Sequence, residues 1–175
     1  MKTAPFKLRA AEPSDVPAIV DLIRELAIFE KLERQVVATP ESMLPQLFGT
    51  RPAAEVVLSE VGGKTVGFAL YFHNFSTFLG RPGLYLEDLY VQPAHRGLGL
   101  GKALLNHLGA LALQRGCGRF EWSVLDWNRN AIDFYERMGA TVMPEWRICR
   151  IAGDALQRFA SPCAGGETRS QPLSS

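Results

Sequence analysis

The sequence predicts an α/β protein (α+β in arrangement) built on one mixed sheet of about seven strands, with helices on both faces. Two observations carry this prediction. Segments rich in Val, Phe and Tyr dominate the middle of the chain, and helical patterns interrupt the strands at three places. Between two of the strand-like segments stands Gly62-Gly63, which predicts a two-residue hairpin turn because both positions can adopt positive φ. The expected element order is β-α-α-β-β-β-α-β-α-β-β.

The first half of the chain predicts a strand, two helices and a hairpin. The first strand covers Phe6–Ala10. The EPSDVP segment that follows indicates a helix start, with Ser14 or Asp15 as the N-cap and Pro17 in the first turn. Apolar residues at helical spacing carry this helix to about Phe29. The remaining expected elements are a helix at 40–48 and strands at 55–61 and 64–75.

The second half predicts strands that alternate with helices. In order, we expect a loop at 76–83, a strand at 84–91, a helix that ends near Gly116, a strand at 120–125, a helix at 128–138 closed by Gly139, and strands at 141–143 and 147–151. The last stretch, SPCAGGETRSQPLSS, is polar and rich in Gly, Pro and Ser, so it cannot bury enough apolar surface to fold. We therefore expect one domain over 1–160 and a flexible tail over 161–175.

Composition and charge exclude several classes of protein. The 175 residues are 47% apolar, which suits one domain with a substantial core. The net charge is +1 with no run of like charges, so we expect no binding to nucleic acid or to an anionic membrane. Three widely spaced cysteines indicate neither a disulfide framework nor a zinc site, and no metal is expected. Since no segment has the length and apolar character of a leader or a membrane span, the expected location is the cytoplasm.

The most informative segment is LEDLYVQPAHRGLGLGKALL at 86–105, where a strand passes through Arg96 and alternate glycines into a helix. A Walker loop is excluded because Ala103 stands where that loop needs Ser or Thr, and a dinucleotide fingerprint is excluded because it needs Gly at position 102 or 104. The remaining R-x-x-G-x-G pattern predicts a nest of free N–H groups at a helix N-terminus, which suits a pyrophosphate. Arg96 adds a charge that can hydrogen-bond a phosphate oxygen. The alternative is a flexible turn with a Gly-rich cap.

Four segments together resemble one family. They are LAIFEKLERQV at 26–36, YLEDLYV at 85–91, HRGLGLG at 95–101 and VLDWNRNAIDFYERMGA at 124–140. In this order they resemble the GNAT superfamily of acetyl-CoA-dependent N-acetyltransferases, and within it the diamine acetyltransferase branch of spermidine/spermine and thialysine Nε-acetyltransferases. The resemblance covers roughly residues 5–160. It implies the GNAT fold, with a mostly antiparallel central sheet, and a homodimer.

The resemblance implies that acetyl-CoA is the acetyl donor and that three segments hold it. The R-x-x-G-x-G loop grips the pyrophosphate. The strand before this loop splays from its neighbour and pairs its backbone with the pantetheine amides, and the start of the later helix contacts the cofactor from the other side. The implied cofactor-binding residues are Leu89, Tyr90, Val91, Arg96, Gly97, Leu98, Gly99, Leu100, Gly101, Lys102, Asn128, Arg129, Asn130, Ala131 and Tyr135.

Two residues are implied to perform the chemistry. An alkyl ammonium has a pKa of about 10.4, so its attack on a thioester at neutral pH needs a base. The resemblance implies that Glu87 is this base, acting through water. It implies that Tyr135 is the acid that gives a proton to the thiolate leaving group. Since side chains alternate along a strand, we expect Glu87 and Asp88 to face opposite ways, with Glu87 in the cleft. The alternatives are a solvated strand face for Glu87 and a core position for Tyr135.

The implied substrate is a small cationic molecule with a primary amine. The polyamine enzymes carry Asp-Pro-Trp before the YLED segment, whereas this chain has Ser-Thr-Phe at 76–78, similar to the thialysine enzymes. We therefore expect a thialysine-like or lysine-like substrate. The alternatives are diamine or polyamine acetylation, protein acetylation, and a non-catalytic acyl-CoA sensor. The implied substrate-binding residues are Phe29, Glu30, Glu87, Glu121, Trp122 and Ser123.

Overall fold

The computed structural model describes residues 6–160, and the tail expected at 161–175 lies outside the described residues. The chain forms two compact units that divide between Asp133 and Phe134. The first unit holds all the strands of the described sheet and the first three α-helices, and the boundary falls within the helix Arg129–Arg137. None of the helices within residues 6–160 has the length and apolar character needed to cross a membrane.

The sheet of the first unit has five strands in the order β1-β2-β3-β4-β5. The pairs β1–β2, β2–β3 and β3–β4 are antiparallel, and the pair β4–β5 is parallel. The hairpin turn predicted between β2 and β3 is confirmed, because Gly62 and Gly63 have φ angles of 59° and 77°. The strands are β1 (Phe6–Ala10), β2 (Glu55–Val61), β3 (Lys64–Ser76), β4 (Arg81–Val91) and β5 (Phe120–Trp122).

Five α-helices follow the predicted order up to the fourth. They are α1 (Val16–Glu30), α2 (Pro40–Phe48), α3 (Leu100–Gln114), α4 (Arg129–Arg137) and α5 (Asp154–Ala160). The start of α1 is held by Asp15, whose carboxylate accepts a hydrogen bond from the Glu12 N–H at 2.7 Å and pairs with Arg9 at 2.6 Å. This contact with Arg9 lowers the pKa of Asp15. The end of α1 is set by Lys31, which adopts the left-handed φ of 62°.

Helices cover both faces of the sheet, as predicted. On one face, α1 and α2 pack against alternate residues of β2, β3 and β4. The other face is covered by α3. Tyr71 follows Leu70 along β3, so its side chain lies on this second face. The guanidinium of Arg115, the residue after α3, lies 5.8 Å from the centroid of the Tyr71 ring. The core on the α1 face consists of Ile19, Leu22, Leu26, Leu47, Val56, Leu58, Phe68, Leu70 and Tyr90.

The structure differs from the sequence prediction at the strand ends and in the last part of the chain. The loop expected at 76–83 is shorter, because the β3–β4 hairpin extends until Ser76 pairs with Arg81. The strand expected at 120–125 ends at Trp122. The strands expected at 141–143 and 147–151 are wrong, and α5 was not predicted. A β-prone composition indicates only that a segment suits a sheet, whereas a strand also needs a neighbour that pairs with its backbone.

Candidate active site

The site is built around an irregularity in β4. Pairing with β3 shifts between Leu70↔Asp88 and Tyr71↔Leu86, so Glu87 is the extra residue of a β-bulge. Pairing with β5 stops at Leu86↔Trp122. From Glu87 onward, β4 therefore has no strand on its β5 side in the part of the chain that is described. At the YLED segment, a bulge on the β3 side of β4 thus lies next to the point where β4 loses its partner on the other side.

At this bulge, two carboxylates act on a third, Asp88. Burial, followed by repulsion from the charges of Glu87 and then Glu30, raises the pKa of Asp88 to about 6. Burial also raises the pKa of Glu30, the last residue of α1. Glu87 is exposed to solvent. A concentration of negative charge that is partly withdrawn from water attracts a cation, and the half-buried Asp88 changes its charge close to neutral pH.

Sequence reasoning left Asp88 out of the site. Strict alternation along β4 predicts that only one of two neighbouring acids points into the cleft, and the bulge interrupts that alternation. Asp88 pairs with Leu70, and Tyr90 pairs with Phe68, so both belong to the face that packs on α1. No residue type in YLED marks the bulge in advance.

An aromatic and cationic group lies beside these carboxylates. The Arg96 guanidinium carbon is 4.9 Å from the centroid of the Phe29 ring and 5.7 Å from that of Tyr90. Its Nε donates a hydrogen bond to the Val91 carbonyl oxygen at 2.9 Å. The Phe29 ring lies 6.1 Å from the Trp127 ring, centroid to centroid. Phe29 is 40% exposed and Trp127 is 50% exposed, so both present apolar surface to solvent at this end of α1.

The glycine loop opens α3 as predicted. Gly97 and Gly99 have φ angles of 79° and 86°, and a Cβ added at either position would meet nothing within 4 Å. These glycines are therefore required by backbone conformation. Gly99 is the N-cap of α3 and has no side chain to cap the helix. The N–H groups of the first turn, at Leu100, Gly101 and Lys102, have no carbonyl partner within an α-helix, so they can bind an anion.

The start of α4 shows a structural task for Asn128, whose predicted contact with the cofactor stays a prediction. The Asn128 side-chain oxygen accepts a hydrogen bond from the Ala131 N–H at 3.3 Å. Asn128 thus caps α4, which orients the first turn of the helix. Arg129 and Asn130 are exposed.

The segment Glu121–Ser123 is engaged with other parts of the sheet. The Glu121 carboxylate accepts a hydrogen bond from the Asn74 amide at 3.0 Å and lies 2.8 Å from Arg119 Nε. Ser123 Oγ lies 2.8 Å from the Tyr85 hydroxyl. The Trp122 ring lies 4.9 Å from the ring of Phe120. The Arg119 charge already balances Glu121, so Glu121 attracts a cationic substrate less than the Asp88 group does.

Tyr135 lies on α4 in the second unit, where its ring is 5.5 Å from that of Phe134 and is half-buried. Its role as the proton donor stays a prediction.

Comparisons with known proteins agree with the sequence resemblance. Residues 20–140 match the acetyltransferase (GNAT) family. The mouse thialysine N-epsilon-acetyltransferase is 37% identical over 168 residues, which cover 90% of this chain and 98% of the relative. An Arabidopsis thaliana L-ornithine N5-acetyltransferase is 36% identical over an alignment that covers 86% of each chain. A human spermidine/spermine N(1)-acetyltransferase-like protein is 36% identical over 89% of this chain and 24% of its own length.

Solved structures of low sequence identity share the fold. An integron cassette protein from V. cholerae superposes with a TM-score of 0.76 at 24% identity, over 90% of this chain and 98% of that protein. A ribosomal-protein-alanine N-acetyltransferase from Brucella melitensis superposes with a TM-score of 0.65 at 20% identity, over 83% of this chain and 99% of that protein.

Proposed function

Because the chain belongs to the acetyltransferase (GNAT) family, we propose that it acetylates the side-chain amine of a small lysine-like amino acid. It is an N-acetyltransferase, and acetyl-CoA is the acetyl donor. The observation that carries the choice of a cationic acceptor is the group of carboxylates formed by Glu30, Glu87 and Asp88 next to the exposed Phe29 ring.

Two features of the first unit suit the donor. The uncapped start of α3, preceded by glycines in the left-handed conformation, presents N–H groups that suit a pyrophosphate. The backbone of β4 from Leu89 to Val91 lies beyond the last β4–β5 pair at Leu86, so its free edge can hydrogen-bond amides of an extended ligand. Acetyl-CoA supplies an activated acetyl group, and the backbone of Leu89–Val91 and residues 96–102 would hold it.

The carboxylates would do two things for the acceptor. Their negative charge concentrates the ammonium form of the amine at the bulge. Glu87, the most exposed of the three, would then accept the amine proton through water, which leaves the nitrogen lone pair free to bond to the thioester carbonyl carbon. The C–S bond breaks in the same reaction, and Tyr135 would supply the proton to the departing thiolate.

The loop between β3 and β4 supports a small acceptor. Residues 76–80 are Ser-Thr-Phe-Leu-Gly and contain no acid that could hold the far ammonium of a long polyamine. Ser76 is buried, and its Oγ accepts a hydrogen bond from the Leu79 N–H at 3.2 Å, so it shapes the turn. Relatives named for thialysine and ornithine, both amino acids with a side-chain amine, match nearly the full length of the chain. Polyamine acetylation is the second candidate, because a spermidine/spermine acetyltransferase-like relative also matches.

Thiol release from acetyl-CoA, measured with thialysine, lysine, ornithine, putrescine and spermidine at equal concentration, tests this proposal. We expect kcat/KM for at least one of the three amino acids to exceed that for spermidine by about tenfold or more. The reason is that the far ammonium of spermidine would find no acidic partner in residues 76–80, and an unpaired charge disfavours a ligand strongly. A preference for spermidine would contradict the proposed substrate class. Absence of release with all five amines, with acetyl-CoA still bound, would direct the search to protein acceptors.

Tyr135→Phe tests the proposed proton donor. The substitution removes one hydroxyl, so we expect kcat to fall about 100-fold, the usual size of a general-acid contribution, with little change in the acetyl-CoA Kd. Phe134→Leu is the matched control on the same helix, because Phe134 has no proton to donate. Equal losses in both variants would mean that Tyr135 has only a packing role.

We also propose a homodimer in the cytoplasm, on the basis of the family resemblance. Light scattering after size-exclusion chromatography would measure the mass in solution, and a mass near the 19.3 kDa of one chain would contradict the dimer.

A further inference from the structure

We infer that Arg96 is a positioning residue that couples the acetyl-CoA loop to the amine site through Phe29. This inference rests on the proposed function and goes beyond it. The R-x-x-G-x-G pattern gives Arg96 a role toward a phosphate only. The contacts of its side chain point to a second role, toward the residues at the end of α1.

Arg96 contacts residues from both half-sites. Its guanidinium lies within cation–π distance of Phe29, which belongs to the last turn of α1 and precedes Glu30, one of the three carboxylates. It also lies within that distance of Tyr90, which belongs to β4. The hydrogen bond from Nε to the Val91 carbonyl holds the base of the side chain on β4. One side chain of the glycine loop thus joins the loop, β4 and the last turn of α1.

Tyr90 gives Arg96 a rigid support. The Tyr90 ring is buried in the core cluster on the α1 face. Its hydroxyl donates a hydrogen bond to Glu25 on α1 at 3.2 Å, and the Gln92 side-chain amide donates to the same carboxylate at 2.9 Å. Glu25 lies about one helical turn before Phe29. Because Tyr90 is fixed from two sides, a shift of Arg96 is transmitted to Phe29 rather than absorbed by Tyr90.

Phe29 extends this contact to the segment before α4. Its ring is tilted by 50° relative to Trp127, at the 6.1 Å centroid distance given above. Asn128, the next residue, caps α4. The position of Phe29 therefore depends on Arg96 on one side and on Trp127 on the other. Neighbouring Glu30 carries one of the three carboxylates, so the orientation of Phe29 also bears on where the amine is bound.

The consequence is a thermodynamic coupling between the two ligands. If Arg96 holds Phe29, a change at Phe29 must alter acetyl-CoA binding, and a change at Arg96 must alter amine binding. Arg96→Lys keeps the positive charge and removes the planar group that stacks on the ring, so it separates stacking from charge. Lys102→Met is the control, because Lys102 is a second cation near the proposed pyrophosphate site, in the first turn of α3, and is exposed.

The experiment is a double-mutant cycle on the full chain with Arg96→Lys, Phe29→Leu and the double variant, and a second cycle with Lys102→Met in place of Arg96→Lys. Two quantities are measured: the KM of the amine at saturating acetyl-CoA, and the acetyl-CoA Kd by calorimetry without amine. We expect Arg96→Lys to raise the amine KM about fivefold, the size of one partly exposed cation–π contact. Phe29→Leu should weaken acetyl-CoA binding about threefold in the natural chain and less than about 1.5-fold when Arg96 is already Lys.

Non-additive effects in the Arg96–Phe29 cycle, together with additive effects in the Lys102–Phe29 cycle, support the inference. Additive effects in both cycles, or an amine KM unchanged by Arg96→Lys, overturn it. If the natural protein acetylates none of the amines, the proposed function fails, and the acetyl-CoA Kd cycle, which needs no turnover, decides the inference by itself.

Discussion

At the scale of single residues, Asp88 best illustrates how position changes chemistry. An isolated Asp ionises near pH ~3.9, so at neutral pH it would be a fixed charge. Its burial beside Leu70 and Tyr90, with two further carboxylates nearby, raises the pKa of Asp88 to about 6. The negative charge that attracts the amine is therefore partly switched by pH.

The pH dependence of kcat/KM follows from this raised pKa. Below about pH 6, Asp88 gains a proton and the site loses a negative charge, so we expect an acidic limb near pH 6 in addition to the slope caused by amine ionisation. Asp88→Asn should remove that limb. Asp21→Asn, on the exposed surface of α1, is the control and should keep it. An acidic limb at the same pH in Asp88→Asn would assign the titration to another group.

At the scale of elements, the path from β4 into α3 combines two local devices. The pairing of β4 with β5 ends at Leu86, beside the bulge at Glu87, and the glycines turn the chain so that the start of α3 has no side-chain cap. Within the described part of the chain, backbone groups that no neighbouring strand or side-chain cap binds therefore lie at two points close in sequence. The two devices give up some local stability in return for a surface that can bind an extended, anionic ligand.

Two glycine substitutions, one at the N-cap of α3 and one inside it, show whether a glycine is needed for its backbone conformation. Gly99→Ala places a Cβ at a φ of 86°, which costs about 1–2 kcal/mol and should also weaken acetyl-CoA binding. Gly109 lies inside α3, has no positive φ, and has open space for a Cβ. Gly109→Ala should therefore stabilise the protein by about 0.5–1 kcal/mol. Chemical denaturation and acetyl-CoA calorimetry measure both effects. A stabilising Gly99→Ala would show that the left-handed conformation is not required.

At the scale of the whole molecule, stability and function oppose each other at the bulge. The core on the α1 face is made of fully buried side chains such as Ile19, Leu58 and Phe68, whose burial stabilises the first unit. Asp88 is placed next to this core, where an ionised carboxylate is unfavourable. Buried groups that reduce stability while serving a reaction are common at active sites.

Asp88→Asn should therefore stabilise the fold in a pH-dependent way. A carboxyl with a raised pKa contributes stability that is complete below the unfolded value of 3.8 and is lost as the pH rises through about 6. At pH 8, the variant should be more stable than the natural protein by up to about 3 kcal/mol, which corresponds to the two-unit shift in pKa. The difference should vanish near pH 4. An equal Tm for the two proteins at pH 8 would contradict the burial of a charged Asp88.

Much of the first unit could be predicted from local signals. The start of α1 is marked by Pro17 after Asp15, the β2–β3 turn by Gly62-Gly63, and the loop before α3 by R-x-x-G-x-G, and each of these structural features forms where predicted, although the Asp15 side chain does not cap α1 itself. The last part of the chain was predicted poorly. Segments 141–143 and 147–151 have a β-prone composition, but no strand forms there in the structure.

Local patterns of residues were enough to predict the family, the donor and most elements of the first unit, because caps, turns and motifs are formed by residues that lie next to each other in the chain. Which charged groups meet depends instead on the folded arrangement. The bulge at Glu87 depends on pairing between β3 and β4, and the raised pKa of Asp88 depends first on its burial and then on the nearby charges of Glu87 and of Glu30 from α1. The contact of Arg96 with Phe29 likewise joins segments far apart in sequence. Electrostatic and packing energies depend on distances through space, which no local pattern of residues specifies.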